Sequence, residues 1–125
     1  MDIHRYLVGA GLILGTVNSL NPVSEAVAQS FPSNVIRIVV PTAPSTPPDI
    51  ISRVVAAELS ANEGWRVIIE NKPGAVMTLG GTEVLRQPAD GYSLYALSVR
   101  VSAAPAFLPN MPFRLDADFV PVMKV

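Results

Sequence analysis

The chain has 125 residues, half of them hydrophobic and 15% charged, with a net charge of −1. That balance excludes a charge-rich disordered chain and leaves no basic field to hold nucleic acid or an anionic membrane. There is no Cys and the only His is His4, which excludes a disulfide scaffold and leaves no thiolate or histidine cluster for a metal site.

The first 28 residues read as an export signal. Arg5 supplies a weak positive start, Tyr6 to Val17 is an apolar run too short for a bilayer span, and Asn18, Asn21 and Pro22 break it. Ala26-Val27-Ala28 places small residues at the two positions a signal peptidase reads, so cleavage is expected before Gln29. Removing the segment leaves equal numbers of acidic and basic residues. The mature chain is expected in the periplasm, with no membrane insertion of its own.

Val35 to Val40 is β-branched and almost wholly apolar, the pattern of a strand covered on both faces. Thr42 to Pro48 carries three prolines and reads as a rigid loop. Asp49 stands as the cap of a helix whose Ile51, Val55 and Leu59 recur at four-residue spacing, and Gly64 ends it. Trp65 to Glu70 is a second strand, Asn71 to Gly74 a turn, and Thr78 to Arg86 a second helix weakened by Gly80 and Gly81. Gln87 to Gly91 is a turn and Tyr92 to Ser98 a third strand. A short helix is expected to open around Ser102 to Pro105, and Phe119 to Val125 reads as the start of another strand.

Strand, helix, strand, helix, strand implies right-handed crossovers: an α/β fold with a parallel sheet and helices on both faces. Ligands of such sheets sit beyond the carboxyl ends of the strands, where helix N-termini favour anions. The two candidate segments are Thr42 to Asp49 after the first strand and Ser98 to Ser102 after the third. A carboxylate is the ligand class this chemistry suggests.

Five segments in order carry a family resemblance. They are Val39-Val40-Pro41-Thr42-Ala43-Pro44, Asp49-Ile50-Ile51-Ser52-Arg53, Glu70-Asn71-Lys72-Pro73-Gly74-Ala75, Ala89-Asp90-Gly91-Tyr92-Ser93-Leu94 and Asp118-Phe119-Val120-Pro121-Val122. Together they resemble the receptors of tripartite tricarboxylate transporters, the Bug family of solute-binding proteins. The resemblance implies a type II periplasmic-binding-protein clamshell that captures a small carboxylate and delivers it to a membrane permease. Residues 29–125 would form part of its first domain, with the second domain absent.

Carried over residue by residue, the first loop's carboxylate-receiving role falls on Pro44, Ser45, Thr46 and Pro47, with Asp49 anchoring the helix. The loop after the third strand places Ser98 and Ser102 at the site, and Arg100 is the side chain with the best fork for a carboxylate. Thr42 stands where the family has an aromatic, and Ser45-Thr46-Pro47-Pro48 replaces its glycine-rich run, removing backbone donors. The hydroxyls of Ser45 and Thr46 are the substitutes. No catalytic residues, metal or cofactor are expected: there is no G-x-S-x-G elbow and no glycine-rich phosphate loop. The alternative reading is a non-functional fragment of such a receptor that binds nothing.

Overall fold

The computed structural model describes residues 30–124; the segment expected to be an export signal, and its expected cleavage point, lie outside the described residues. Three parallel strands, β1 (Ile36–Val40), β2 (Val67–Asn71) and β3 (Ser93–Tyr95), form one sheet in the order β2-β1-β3. Helix α1 (Pro47–Glu63) joins β1 to β2, α2 (Thr78–Leu85) joins β2 to β3, and α3 (Val99–Phe107) follows β3. The chain steps from β1 to one side and returns across β1 to the other. Two right-handed crossovers in opposite directions put α1 and α2 on opposite faces.

The alternation of β1 confirms that arrangement. Arg37 reaches Glu83 of α2 at 3.2 Å, and a Cβ on Gly80 of α2 would stand 3.1 Å from Val39, so Arg37 and Val39 face α2. Ile36, Ile38 and Val40 therefore face α1. The four apolar residues of β1 are all buried, as a central strand covered on both sides requires. Register pairs Ile38 with Ile69 on one side and Leu94 on the other.

Glycine in α2 serves contact rather than weakness. Gly80 lets the helix lie against Val39 and Tyr95, and Gly81 leaves room for the Phe113 ring, which an added Cβ would meet at 2.5 Å. Across the same face, Arg37 and Lys72 bridge Glu70 and Glu83, tying α2 to β1 and to the end of β2.

Several expected boundaries move. α1 begins at Pro47, with Thr46 rather than Asp49 at the N-cap position and no side-chain capping bond, because proline at the first helical positions has its φ preset and needs no N–H there. Its buried residues are Asp49, Ser52 and Ala56, with Val55 and Leu59 half-buried beside them, whereas Ile50, Ile51 and Val54 are exposed, so the stripe read from spacing holds at Val55 and Leu59 and fails at Ile51. β3 is shorter than expected, and α3 starts at Val99 instead of around Ser102, because the Ser98 carbonyl already accepts the Val101 and Ser102 amides. Phe119 to Lys124 forms no strand; no neighbouring strand lies against it among the described residues.

Candidate functional site

The order β2-β1-β3 reverses between β1 and β3, and both strands discharge onto the same rim. The Ala96 amide donates to the Val39 carbonyl at 2.9 Å, so the exit of β3 runs beside the exit of β1. Two helix N-termini follow these exits, α1 after Thr46 and α3 after Ser98. The residues expected at a site all lie in these two segments, and the sheet brings the segments to one edge.

The first segment is closed on itself. Asp49 is 1% exposed. Its carboxylate accepts from the Ser45 amide (2.9 Å), Asn71 Nδ2 (2.9 Å), Arg53 Nε (3.0 Å) and Arg53 Nη2 (3.0 Å). Hydrogen bonding from Arg53, then from Asn71 and the Ser45 amide, holds its pKa down to about 2. Thr46 donates its hydroxyl to the Ala43 carbonyl at 2.8 Å, which makes Thr42 the donor in the 2.6 Å contact between the two threonine hydroxyls. Pro47 and Pro48 carry no N–H, so the usual orphan donors of a helix start are missing at two of the first three positions. Ser45 sits at φ 65° with its amide spent on Asp49, and Pro44 is exposed beside it.

The second segment is open. Ser98 is extended, at φ −119° and ψ 163°, and its hydroxyl makes no capping bond. That hydroxyl is buried and has no hydrogen-bond partner, the one such side-chain group found among the described residues. Buried hydroxyls are nearly always paired, so an orphan is a place where a water or a ligand can supply the missing acceptor. Val99 and Arg100, the first two residues of α3, carry amides that a helix leaves unbonded, and the positive end of the helix dipole points the same way. The Arg100 side chain is exposed and has no ion-pair partner among the described residues. Ser102, a turn further on, is bonded back through its amide to the Ser98 carbonyl at 3.1 Å.

Asn71 is the residue that sequence reasoning assigned only to a turn. Its amide donates to Asp49 and to the Thr42 carbonyl (3.0 Å), and its oxygen accepts from Arg53 (3.2 Å), so the end of β2 clamps the loop after β1. The signal available was its place at the end of an apolar strand, in the same resembling segment as Lys72-Pro73-Gly74. Two open hollows flank the fold. One of about 380 Å³ lies at the amino ends of the strands between Phe31, Trp65 and Arg66. The other, of about 450 Å³, is lined by Ser102, Pro105, Met111 and Phe113. Among the described residues no cluster of His, Cys, Asp or Glu suits a metal, and no helix is long and apolar enough to cross a membrane.

Residues 51–125 match the family model described as the tripartite tricarboxylate transporter family receptor. The chain belongs to that receptor family. Among relatives, the protein BugT of Bordetella pertussis is 32% identical over all of this chain and 38% of its own length. A protein of Agrobacterium vitis, from the ttuE-ttuC' intergenic region, is 35% identical over 86% of this chain and 31% of its own length. The chain thus spans about a third of the curated relatives it matches. Two solved structures share the fold. A periplasmic transporter has TM-score 0.63 and 37% identity over 67% of this chain and 29% of its own. MatC of Rhodopseudomonas palustris, with bound malate, has TM-score 0.65 and 35% identity over 74% of this chain and 32% of its own. The part of the fold that matches them contains the open parallel sheet with its flanking helices.

Proposed function

We propose that this chain contributes the carboxylate-receiving rim of an extracytoplasmic solute-binding receptor that captures a small carboxylate for a tripartite tricarboxylate-type membrane permease. The observation that carries the reading is the buried, unpartnered Ser98 hydroxyl at the N-terminus of α3, beside the free amides of Val99 and Arg100. A carboxylate oxygen accepting from these three donors would satisfy the orphan and place negative charge at the positive end of a helix. Malate bound to a relative of the same fold supports the ligand class. The Arg100 guanidinium would pair with a second carboxyl group. Ser45 offers a further hydroxyl from the opposite side, while Asp49, Thr46 and Pro44 shape the loop. No residue here is assigned a catalytic role, and no cofactor enters.

The rim is open to solvent in this chain, and water competes for every bond it offers. Calorimetric titration with mono-, di- and tricarboxylates is expected to give a Kd in the millimolar range, about −4 kcal/mol. Ser98→Ala is expected to weaken binding about fivefold, the loss of roughly 1 kcal/mol for one hydrogen bond. Binding that is undetectable, or unchanged by Ser98→Ala, would favour a chain that holds no ligand. Export is part of the same proposal. Intact mass of a periplasmic extract is expected to show a chain beginning at Gln29, and recovery of the uncleaved chain in the cytosol would contradict it.

A further inference from the structure

Among the described residues, the non-glycine positions with left-handed backbone are Ser45, Ala75, Val76 and Met77. All four lie in loops leaving the carboxyl ends of β1 and β2, on the rim just described. Ala75, Val76 and Met77 follow one another at φ 46°, 52° and 69°, making a single tight turn that leads directly into α2. A β-branched residue such as Val76 is an outlier in this region, and such conformations persist only where the surroundings hold them.

Two hydroxyls hold this one. Thr78 donates to the Ala75 carbonyl at 2.7 Å, a local bond within the turn. Tyr95 donates to the Met77 carbonyl at 2.6 Å, reaching from β3, three residues ahead of Ser98. The Tyr95 ring is itself fixed. It stacks on Phe119 with centroids 5.4 Å apart, meets Phe113 edge-on, and lies against Gly80 of α2. Burial pushes the Tyr95 phenol up to about 12, so the hydroxyl remains a donor throughout the working pH range. On its other side the turn packs against α3.

We propose that Tyr95 is a positioning residue for the carboxylate rim: its bond to Met77 pins the strained turn, and the pinned turn seats the first turn of α3, where Ser98 and the free amides stand. The functional half rests on the carboxylate reading; the structural half does not. Without the hydroxyl, the turn is free to relax toward right-handed backbone and withdraw its support from α3. Glycine at 76 and 77 adopts the same φ with no such strain and keeps the turn without the latch.

The test uses the whole chain, with amide hydrogen exchange and titration with L-malate as separate readouts. In Tyr95→Phe, the Val101 and Ser102 amides, both bonded to the Ser98 carbonyl, are expected to exchange about tenfold faster, while the Ile36 amide, bonded to Arg66 at the amino ends of the strands, keeps its rate. Malate affinity is expected to fall about tenfold with them. Adding Val76→Gly and Met77→Gly to Tyr95→Phe is expected to restore both. Unchanged exchange at Val101 and Ser102, an equal rise at Ile36, or failure of the glycines to restore the pattern would overturn the proposal. If the exchange pattern appears and the parent chain binds no malate, the carboxylate reading fails and the positioning role stands.

Discussion

The two helix starts on the rim of the sheet are built from similar residue types and end in opposite states. At α1, a serine, a threonine, two prolines and an aspartate are tied to one another: the Asp49 carboxylate is filled by four donors, the Thr46 hydroxyl is turned back to Ala43, and two amides have been removed by proline. At α3, a serine hydroxyl is buried with no partner, and two amides and an arginine follow it. A helix N-terminus is thus not a binding site because of its dipole alone. What decides is whether its donors have already been used by the protein. The α1 corner has used them for its own stability, and the α3 corner holds them back.

The largest effect on that contrast is expected from Asp49→Asn. An asparagine offers an NH₂ group to a site furnished entirely with donors, so at least one of Ser45, Asn71 and Arg53 is left facing another donor. Tm is expected to drop by roughly 10 °C at pH 7, as for other disrupted buried networks. The pH dependence carries the same signature. The Asp49 carboxyl titrates at about 2 in the fold against an ordinary value of 3.8, so its stabilisation is fully present above the ordinary value and is lost as pH falls from about 4 towards 2. That segment of the acid limb in thermal melts is expected to vanish in Asp49→Asn. A variant with the parent's Tm and the parent's acid limb would show that the α1 corner is not self-locked.

A smaller effect of opposite sign is expected from Ser98→Ala. Deleting a buried hydroxyl that has no partner removes an unmet desolvation cost, so the ligand-free chain is expected to gain up to about 1 kcal/mol and a slightly higher Tm. Loss of stability in denaturant titration would mean the hydroxyl has a partner within the protein, and the asymmetry between the corners would disappear. The smallest effect sharpens the comparison. Pro48→Ala returns one amide to the start of α1 and is expected to improve carboxylate affinity no more than about threefold, while lowering stability by about 0.5 kcal/mol through the unfolded chain. A tenfold gain would show that proline alone keeps the α1 corner from binding.

Much of the frame was legible. The β-branched run at Val35 to Val40, the Gly64 stop and the Asn71 to Gly74 break were enough for strand-helix alternation, hence for a parallel sheet with helices on both faces. That the loops after β1 and β3 share one rim was legible too, since parallel strands with crossover helices place their carboxyl ends together. Boundaries were less so. Spacing proposed Ile51, Val55 and Leu59 as the packed stripe of α1; Val55 and Leu59 are half-buried beside Ser52 and Ala56, whereas Ile51 is exposed and the buried Asp49 takes the sheet side of the first turn, held there by Ser45, Asn71 and Arg53. The end of the third strand was overestimated, since nothing local to Leu97 to Ser102 distinguishes an extended strand from the first turn of α3.

The sequence by itself determined the order of elements, the neutral and cysteine-free character of the chain, and the family to which its five segments point, because these depend on composition, local periodicity and motif order. Only the tertiary structure decided which donors remain free. Ser45, Thr46 and Ser98 are equivalent as hydroxyl-bearing letters. They differ because Asp49 takes the Ser45 amide, Ala43 takes the Thr46 proton, and the exit of β3 buries Ser98 where no acceptor reaches it. Likewise, nothing in Ala75-Val76-Met77 announces left-handed backbone. A turn that local sterics disfavour exists there because Thr78 and Tyr95, the latter from another strand, hold its carbonyls.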